Sequence, residues 1–498
     1  MGNVENRNNS MNIFHKAISF RPYFWFFQMF MILILTSCAT IGPDYVKPTT
    51  SISPIWHTQL KGGLAPEEID PQTLGAWWRV LNDPKLSALI DRAVLGNLDL
   101  KKARARVREA RARRGVAKAD LFPTLDATGS ATWSRGSKDT GTGKASDLYA
   151  ASFDAGWELD IFGGVRRSVE AAEADLQASQ EDLHDVLVSL LAEVALNYIE
   201  VRTFQARLAV AQANLEAQNE TYQLTLWRYQ AGLSDELSVQ QARYNLENTR
   251  SQIPSLRTGL EEAMNRLAVL LGEQPGRVHE ELNKPMPIPL TPLKIAVGVP
   301  ADLLRRRPDI RRAERQLAAQ TARIGVAMAE LYPKFTLSGS IGLEALSLSN
   351  LSSSGLWSLS GGPRISWAIF KAGAIRQNIE VQSALQEQYL IAYEATVLSA
   401  LEEVENALVA YAEEQQRRES LIEATQAAQS AVTLAQHKFR AGLTDFSNVL
   451  DAQRSLLSLQ DQLIQSEGAV TSNLIRLYKA LGGGWTAMPI EGNKTEEK

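Results

Sequence analysis

A chain of 498 residues with 52 lysines and arginines against 56 aspartates and glutamates carries a formal net charge of −4. That balance gives no basic excess for a nucleic-acid partner. A single cysteine excludes an intramolecular disulfide, and the five scattered histidines, His15, His57, His184, His279 and His437, lack metal-ligand spacing.

The first segment reads as targeting sequence. Lys16 and Arg21 precede the run Pro22 to Leu35, apolar except for Gln28. A spanning helix needs about 20 residues, so this run fits a signal-peptide core. Leu35-Thr36-Ser37-Cys38 follows, and the lone cysteine after small residues is expected to be acylated, with residues 1–37 removed. The mature chain would have 461 residues, 498 less 37, and a net charge of −6, 49 basic against 55 acidic. Met11 is an alternative start. No other cofactor is expected.

Residues 38–92 form an acylated N-terminal segment with a first equatorial helix. Lys101 to Lys118 is locally basic, K-K-A-R-A-R-V-R-E-A-R-A-R-R-G-V-A-K. The simpler reading is the solvated face of an alanine-rich helix; a phosphate or lipid-headgroup contact is the alternative.

An internal repeat sets the organisation. Leu121 to Ser130 aligns with Leu331 to Ser340 at an offset of 210, and the same offset relates Trp157 to Trp367, Gly163 to Gly373 and Gly232 to Gly442 without a gap. The chain is two copies of one unit, residues 93–275 and 303–485, joined by an equatorial linker over 276–302 and followed by a tail, 486–498. After Pro123, Leu125, Ala127, Gly129, Ala131 and Trp133 alternate with polar residues, and Phe335, Leu337, Gly339, Ile341 and Leu343 repeat the pattern, as strands with one wet face do. Second strands after polar loops make hairpins over 124–158 and 334–370. The strands suit a tilted membrane strand of about 9–11 residues, and tryptophans at their ends suit an interfacial girdle. An ordinary soluble hairpin shows the same alternation. Four strands cannot close a barrel, and an open edge is not tolerated in lipid, so membrane strands would require several chains in one barrel. Gly141 to Ser146, G-T-G-K-A-S, lacks the first glycine of a phosphate loop and sits in a hairpin, which argues against nucleotide binding.

Residues 165–231 and 374–441 contain neither glycine nor proline. At 1.5 Å per residue each would make a helix about 100 Å long. Each ends at a near-identical signal, A-G-L-S-D at Ala231 to Asp235 and A-G-L-T-D at Ala441 to Asp445, after which helix resumes. Gly232 and Gly442 suit the left-handed position that closes a helix. Ser234 or Asp235, and Thr444 or Asp445, suit the cap of the next. Each signal is the tip of a helical hairpin, and Pro254 should kink the first returning helix.

Cys38 to Pro48, Trp77 to Leu86, Leu303 to Leu317, Arg323 to Pro333 and the paired tips together resemble the outer-membrane efflux protein family, the TolC-like and NodT-like channels of resistance-nodulation-division pumps. The resemblance covers essentially all of the mature chain. It implies a membrane α+β fold in which a homotrimer builds one barrel of twelve strands, four from each chain, continued by a long α-helical coiled-coil tunnel in the periplasm. It implies a lipid-anchored outer-membrane protein that is not an enzyme. Such a protein is a passive exit duct for drugs or other small molecules, working with a periplasmic adaptor and an inner-membrane pump. The tip residues Gly232, Leu233, Ser234, Gly442, Leu443 and Thr444 match the adaptor-contacting motif. Asp451 matches a carboxylate that lines the periplasmic constriction, and Phe439 and Arg454 match positions that hold the tip helices together. Some relatives place a leucine four residues before this aspartate; here Ser447 stands there, followed by Asn448, so a polar closure is expected. A protein-secretion channel, or a lipid-anchored coiled-coil protein without a pore, are the other readings.

Overall fold

The computed structural model describes residues 40–139, 143–351 and 355–485. The expected signal peptide, the expected acylation site Cys38 and the tail after residue 485 lie outside the described residues. The larger sheet has four strands, β1 Thr124–Arg135, β2 Ala145–Leu159, β3 Lys334–Ala345 and β4 Trp357–Ser366. Seven main helices are α1 Pro84–Gly96, α2 Leu98–Ala119, α3 Gly164–Gln230, α4 Glu236–Leu270, α5 Pro308–Ala329, α6 Ala374–Arg440 and α7 Phe446–Ala480. The helix pairs α2/α5, α3/α6 and α4/α7 begin and end at the repeat offset of 210, as do β1 and β3. The second hairpin stops at Ser366 instead of residue 370. There the chain turns through a bond from the Ile369 amide to the Trp367 carbonyl.

The chain divides into two compact units. The first comprises Met1–Pro43, Lys118–Ser168 and Arg323–Ile379. Its centre is a fully antiparallel sheet in the order β1-β2-β3-β4, so the two hairpins join where β2 pairs with β3. The register puts Ala127, Phe153, Ile341 and Leu359 in one row and Leu125, Ala155, Gly339 and Gly361 in another. One face is therefore apolar or small over nearly its whole width. The other carries Thr128, Ser152, Asp154, Ser340 and Ser360. The apolar face is not folded inward: Leu125 is 71% exposed, Phe153 57%, Ile341 54% and Leu359 69%. On the polar face the Thr128 hydroxyl donates to Asp154 at 2.8 Å, and Ser152 donates to the same carboxylate at 3.0 Å. Trp157 and Trp367, equivalent in the repeat, each donate an indole N–H at 3.0 Å to the carbonyls of Leu121 and Leu331, also equivalent.

The segment just after Cys38 is fixed in this unit. The Ile41 amide donates to the Phe162 carbonyl at 3.1 Å, and Arg167 donates to the Ile41 carbonyl at 3.1 Å and the Gly42 carbonyl at 3.2 Å. Gly42 has φ +99°, and a Cβ there would come within 2.5 Å of the Gly325 Cα. Only glycine fits that turn without strain.

The second unit comprises Asp44–Ala117, Val169–Ala322 and Glu380–Lys498. Its main core joins Trp77, Leu86, Leu89 and Ile90 to Leu191, Tyr198, Leu267, Tyr393, Tyr411 and Leu474. This explains the motif W-W-R-V-L-N-D-P-K-L. Trp77 is 1% exposed and stacks on Tyr478 at 5.7 Å. Asp83 caps α1 by accepting from the amides of Lys85 and Leu86, with Pro84 in the first helical position, where it costs no hydrogen bond. The Tyr198 hydroxyl donates to Asp83 at 2.6 Å, and burial, reinforced by that carboxylate, pushes the phenol pKa far up. A short parallel bridge pairs Leu64–Ala65 with Ile295–Ala296. Helix α4 runs unbroken through Pro254, so the proline does not end it. Among the described residues no helix is long and apolar enough to cross a membrane.

Candidate functional site: the paired helical tips

Both long helices end the same way. The Gly232 amide donates to the Tyr229 carbonyl at 2.9 Å and the Leu233 amide to the Arg228 carbonyl at 2.8 Å. Gly442 and Leu443 make the equivalent bonds to Phe439 at 3.0 Å and Lys438 at 2.8 Å. These paired bonds satisfy carbonyls that a helix end leaves orphaned. Gly232 and Gly442 both have φ +72° and open space around them. The requirement is therefore conformational, and the surface at each tip is unobstructed. Leu233 is 69% exposed and Leu443 76%, while Ser234 and Thr444 are partly exposed. An apolar side chain at the apex of each hairpin, framed by small polar groups, is a surface that a partner can grip.

The two tips differ in their caps. Asp235 caps α4, accepting the Ser238 amide at 2.7 Å. Bonds from the Ser238 backbone and side chain hold the Asp235 carboxyl below the ordinary carboxylate range. Asp445 makes no side-chain cap bond to α7; instead Asn448 donates to the Thr444 hydroxyl at 2.8 Å. A depressed carboxylate pKa contributes stability that is complete above the unfolded value and lost as pH falls through the folded one. Acidification from about pH 5 to about 2 is therefore expected to fray the first turn of α4 more than that of α7. Hydrogen exchange at Ser238 and Asn448 measures this, and equal fraying at both tips counts against the cap.

Inside the tips the two hairpins lock together. Phe446, Val449, Leu450 and Ala242 are buried together, with Tyr222, Ala435 and Phe439 packed against them. Phe439 lies 5.1 Å from Phe446, ring to ring, and Arg228 sits over Phe439 at 4.7 Å. Arg454 reaches across to the first hairpin, donating to the Asn245 side chain at 2.6 Å and covering the Tyr244 ring at 5.3 Å. Its other branch lies 3.5 Å from Asp451, whose side chain is 71% exposed. Ser447 and Asn448 are exposed, and Gln241, the counterpart of Asp451, is partly exposed. The structure thus brings together Phe439, Asp451, Arg454, Ser447 and Asn448 around the first turns of α7. The sequence reading missed Arg228, Tyr244 and Asn245. The offset held a clue, because Tyr244 is the repeat counterpart of Arg454 and the two are in contact.

No group of three or more histidine, cysteine, aspartate or glutamate side chains capable of holding a metal ion occurs among the described residues.

A family model described as "Outer membrane efflux protein" matches residues 89–273 and 299–483. Those two matches are themselves separated by 210. Nodulation protein T of Rhizobium leguminosarum bv. trifolii is 33% identical over 472 residues, covering 93% of this chain and 98% of that protein. The solvent efflux pump outer membrane protein SrpC of Pseudomonas putida is 34% identical over 466 residues, covering 92% and 98%. Among solved structures, the outer-membrane channel OprN superposes with a TM-score of 0.84 at 38% identity, covering 90% of this chain and all (100%) of that one.

Proposed function

The chain belongs to the outer membrane efflux protein family, and on that premise we propose that it is the outer-membrane channel of a tripartite efflux assembly. The observation that carries the reading is the four-stranded sheet, with one apolar exposed face, one polar face and unpaired strands at both edges. Such a sheet suits lipid on one side and a water-filled lumen on the other, and it needs further copies to close. Three copies would give twelve strands, and the long helices of each copy would build a periplasmic tunnel. An acyl group on Cys38 would hold the chain to the outer membrane beside the turn at Gly42. The duct is passive. An inner-membrane resistance-nodulation-division pump supplies the energy, and a periplasmic adaptor grips the tips through Leu233 and Leu443. The cargo class that fits is small molecules, as the solvent-efflux relative supports.

At the tips, Asp451 would be repeated around the axis. Carboxylates close together in a narrow passage repel one another and concentrate cations. The contact from Arg454 to Asn245 and Tyr244 would oppose that repulsion and keep the passage shut. With Ser447 and Asn448 exposed, the closure is polar. Conductance of the purified protein in a planar bilayer tests this. Asp451→Ala is expected to lower cation selectivity, and Arg454→Ala to raise the resting current several-fold. Wild-type selectivity and current in both variants would remove the gate from these residues. A wild-type protein with no conductance under any condition would remove the channel itself.

A further inference from the structure

Midway along α7, neighbouring charges are paired. Arg207 lies 2.7 Å from Asp461, and Arg417 lies 3.1 Å from Glu414. Arg418 of α6 and Glu467 of α7 line one cavity beside them and are not paired. Among the described residues neither side chain makes a hydrogen bond or an ion pair. Both residues are only partly exposed. The Arg418 Nε is shut off from solvent and has no partner. Burial raises the Glu467 carboxyl above its ordinary pKa, opposed by the charge of Arg418. A buried polar group without a partner is costly, so two in one cavity call for an occupant.

The cavity holds about 340 Å³ and lies between α3, α6, α7 and the linker between the repeats. That is the small end of the range for small-molecule sites, about 300–1,000 Å³. One wall is Pro287-Ile288-Pro289-Leu290. Proline at alternate positions fixes φ and removes every second amide donor, so this wall is stiff and mostly apolar. It is also tied down. Arg202 donates to the Lys284 carbonyl at 3.1 Å, and Thr471 donates to the Pro289 carbonyl at 3.0 Å. The cavity is therefore formed before anything enters it.

The repeat sets these charges apart from the common scaffold. At the offset of 210, Arg418 corresponds to Leu208 and Glu467 to Arg257. Leu208 packs against Ile253 and Leu256, and Arg257 is exposed. Where the first half makes an apolar contact, the second half sets a charge.

We propose that this cavity binds a small zwitterion of amino-acid or dipeptide size with an apolar body. Its carboxylate sits on Arg418, its ammonium on Glu467 and its body against Pro287 to Leu290. The flat guanidinium suits a carboxylate, which it can hold through two N–H groups. A ligand with both charges satisfies both side chains at once. A simple anion or cation leaves one of them unpaired, and an uncharged apolar molecule leaves both. A terminus of a longer chain carries only one of the two charges, so the occupant is a free molecule. The site joins α6 and α7 to the linker, and an occupant would bridge them. The inference stands on the helical unit alone and adds to the proposed channel a ligand that is held and not conducted.

The test titrates leucyl-leucine into the full-length acylated protein in detergent, followed by calorimetry. Saturable binding is expected for wild type. Arg418→Gln and Glu467→Gln are each expected to weaken it by about tenfold or more, the loss that goes with one charged hydrogen bond. N-acetyl-leucyl-leucine, which lacks the ammonium, is expected to bind wild type weakly and to bind Glu467→Gln no worse than wild type. That comparison reads the ammonium contact within folded proteins, whatever the variants do to stability. No saturable binding to wild type overturns the site. So does equal affinity of wild type and both variants, or an acetylated analogue that binds wild type as tightly as its parent. Each of these failures leaves the channel reading standing, because conductance and assembly do not depend on the cavity.

Discussion

Replacing Arg307 by leucine is expected to destabilise the helical unit by about 3–5 kcal/mol, the range for removing one partner of a buried charged network. The Arg307 side chain is 11% exposed and makes four contacts at once. One branch donates to the Ala480 carbonyl at 2.7 Å and lies 2.7 Å from Glu403; the others grip Asp309 at 3.0 and 2.7 Å. Leucine would leave the last carbonyl of α7 and the Glu403 carboxylate without the guanidinium, and Asp309 with only the Ile310 amide. Arg307→Lys keeps the charge but not the fork, so an intermediate loss is expected. Arg305→Leu, on the exposed side of the same turn, should stay within about 0.5 kcal/mol of wild type. Chemical denaturation followed by circular dichroism separates the three, and an Arg307→Leu variant as stable as Arg305→Leu overturns the assignment. The repeat gives an independent check. Asn97 is the counterpart of Arg307, and its side chain donates at 2.9 Å to the Leu270 carbonyl, the counterpart of Ala480. Both units tether the end of the returning helix, with different residues.

Ile341→Arg is expected to abolish assembly in the outer membrane, whereas Ser340→Arg, its neighbour in β3, leaves assembly intact. Ile341 is 54% exposed on the apolar face, paired with Phe153 and Leu359. On a soluble protein an arginine there would be harmless or helpful. Facing lipid near the middle of a strand it costs about 2–4 kcal/mol per copy, and a shared barrel incurs that cost in every copy. Ser340 lies on the opposite face, where a charge would meet water. Heat-modifiable migration of membrane fractions on gels reads the outcome. Equal assembly of the two variants would mean that the apolar face does not meet lipid.

The repeat, the strand alternation and the glycine-marked tips were legible in the sequence because each depends on local periodicity or on one backbone requirement. The register of the sheet follows from alternation once β2 is known to pair with β3. The networks were not legible. Nothing in L-L-R-R-R-P-D-I-R-R states that Arg307, and not Arg305 or Arg306, turns inward, because that depends on Ala480 and Glu403, far away in the chain. The partners of Arg454 were hidden for the same reason. Pro254 lacks an N–H for the helix ladder, and α4 nevertheless continues through it. One missing hydrogen bond in a helix of 35 residues is outweighed by packing on either side, at Ile253 and Leu256.

Helices α3 and α6 are each 67 residues long, and α4 and α7 are each 35. That equality keeps the packing in step. One added residue would rotate every following side chain by about 100° and shift it by about 1.5 Å, scrambling both hairpins' mutual packing. The two halves differ at many positions in sequence, while the lengths of their arms are identical. The strand hairpins are looser, with nine residues between β1 and β2 and eleven between β3 and β4. An epitope tag or a reporter insertion belongs in those connections, and an arm should be lengthened only in both halves together and by whole heptads.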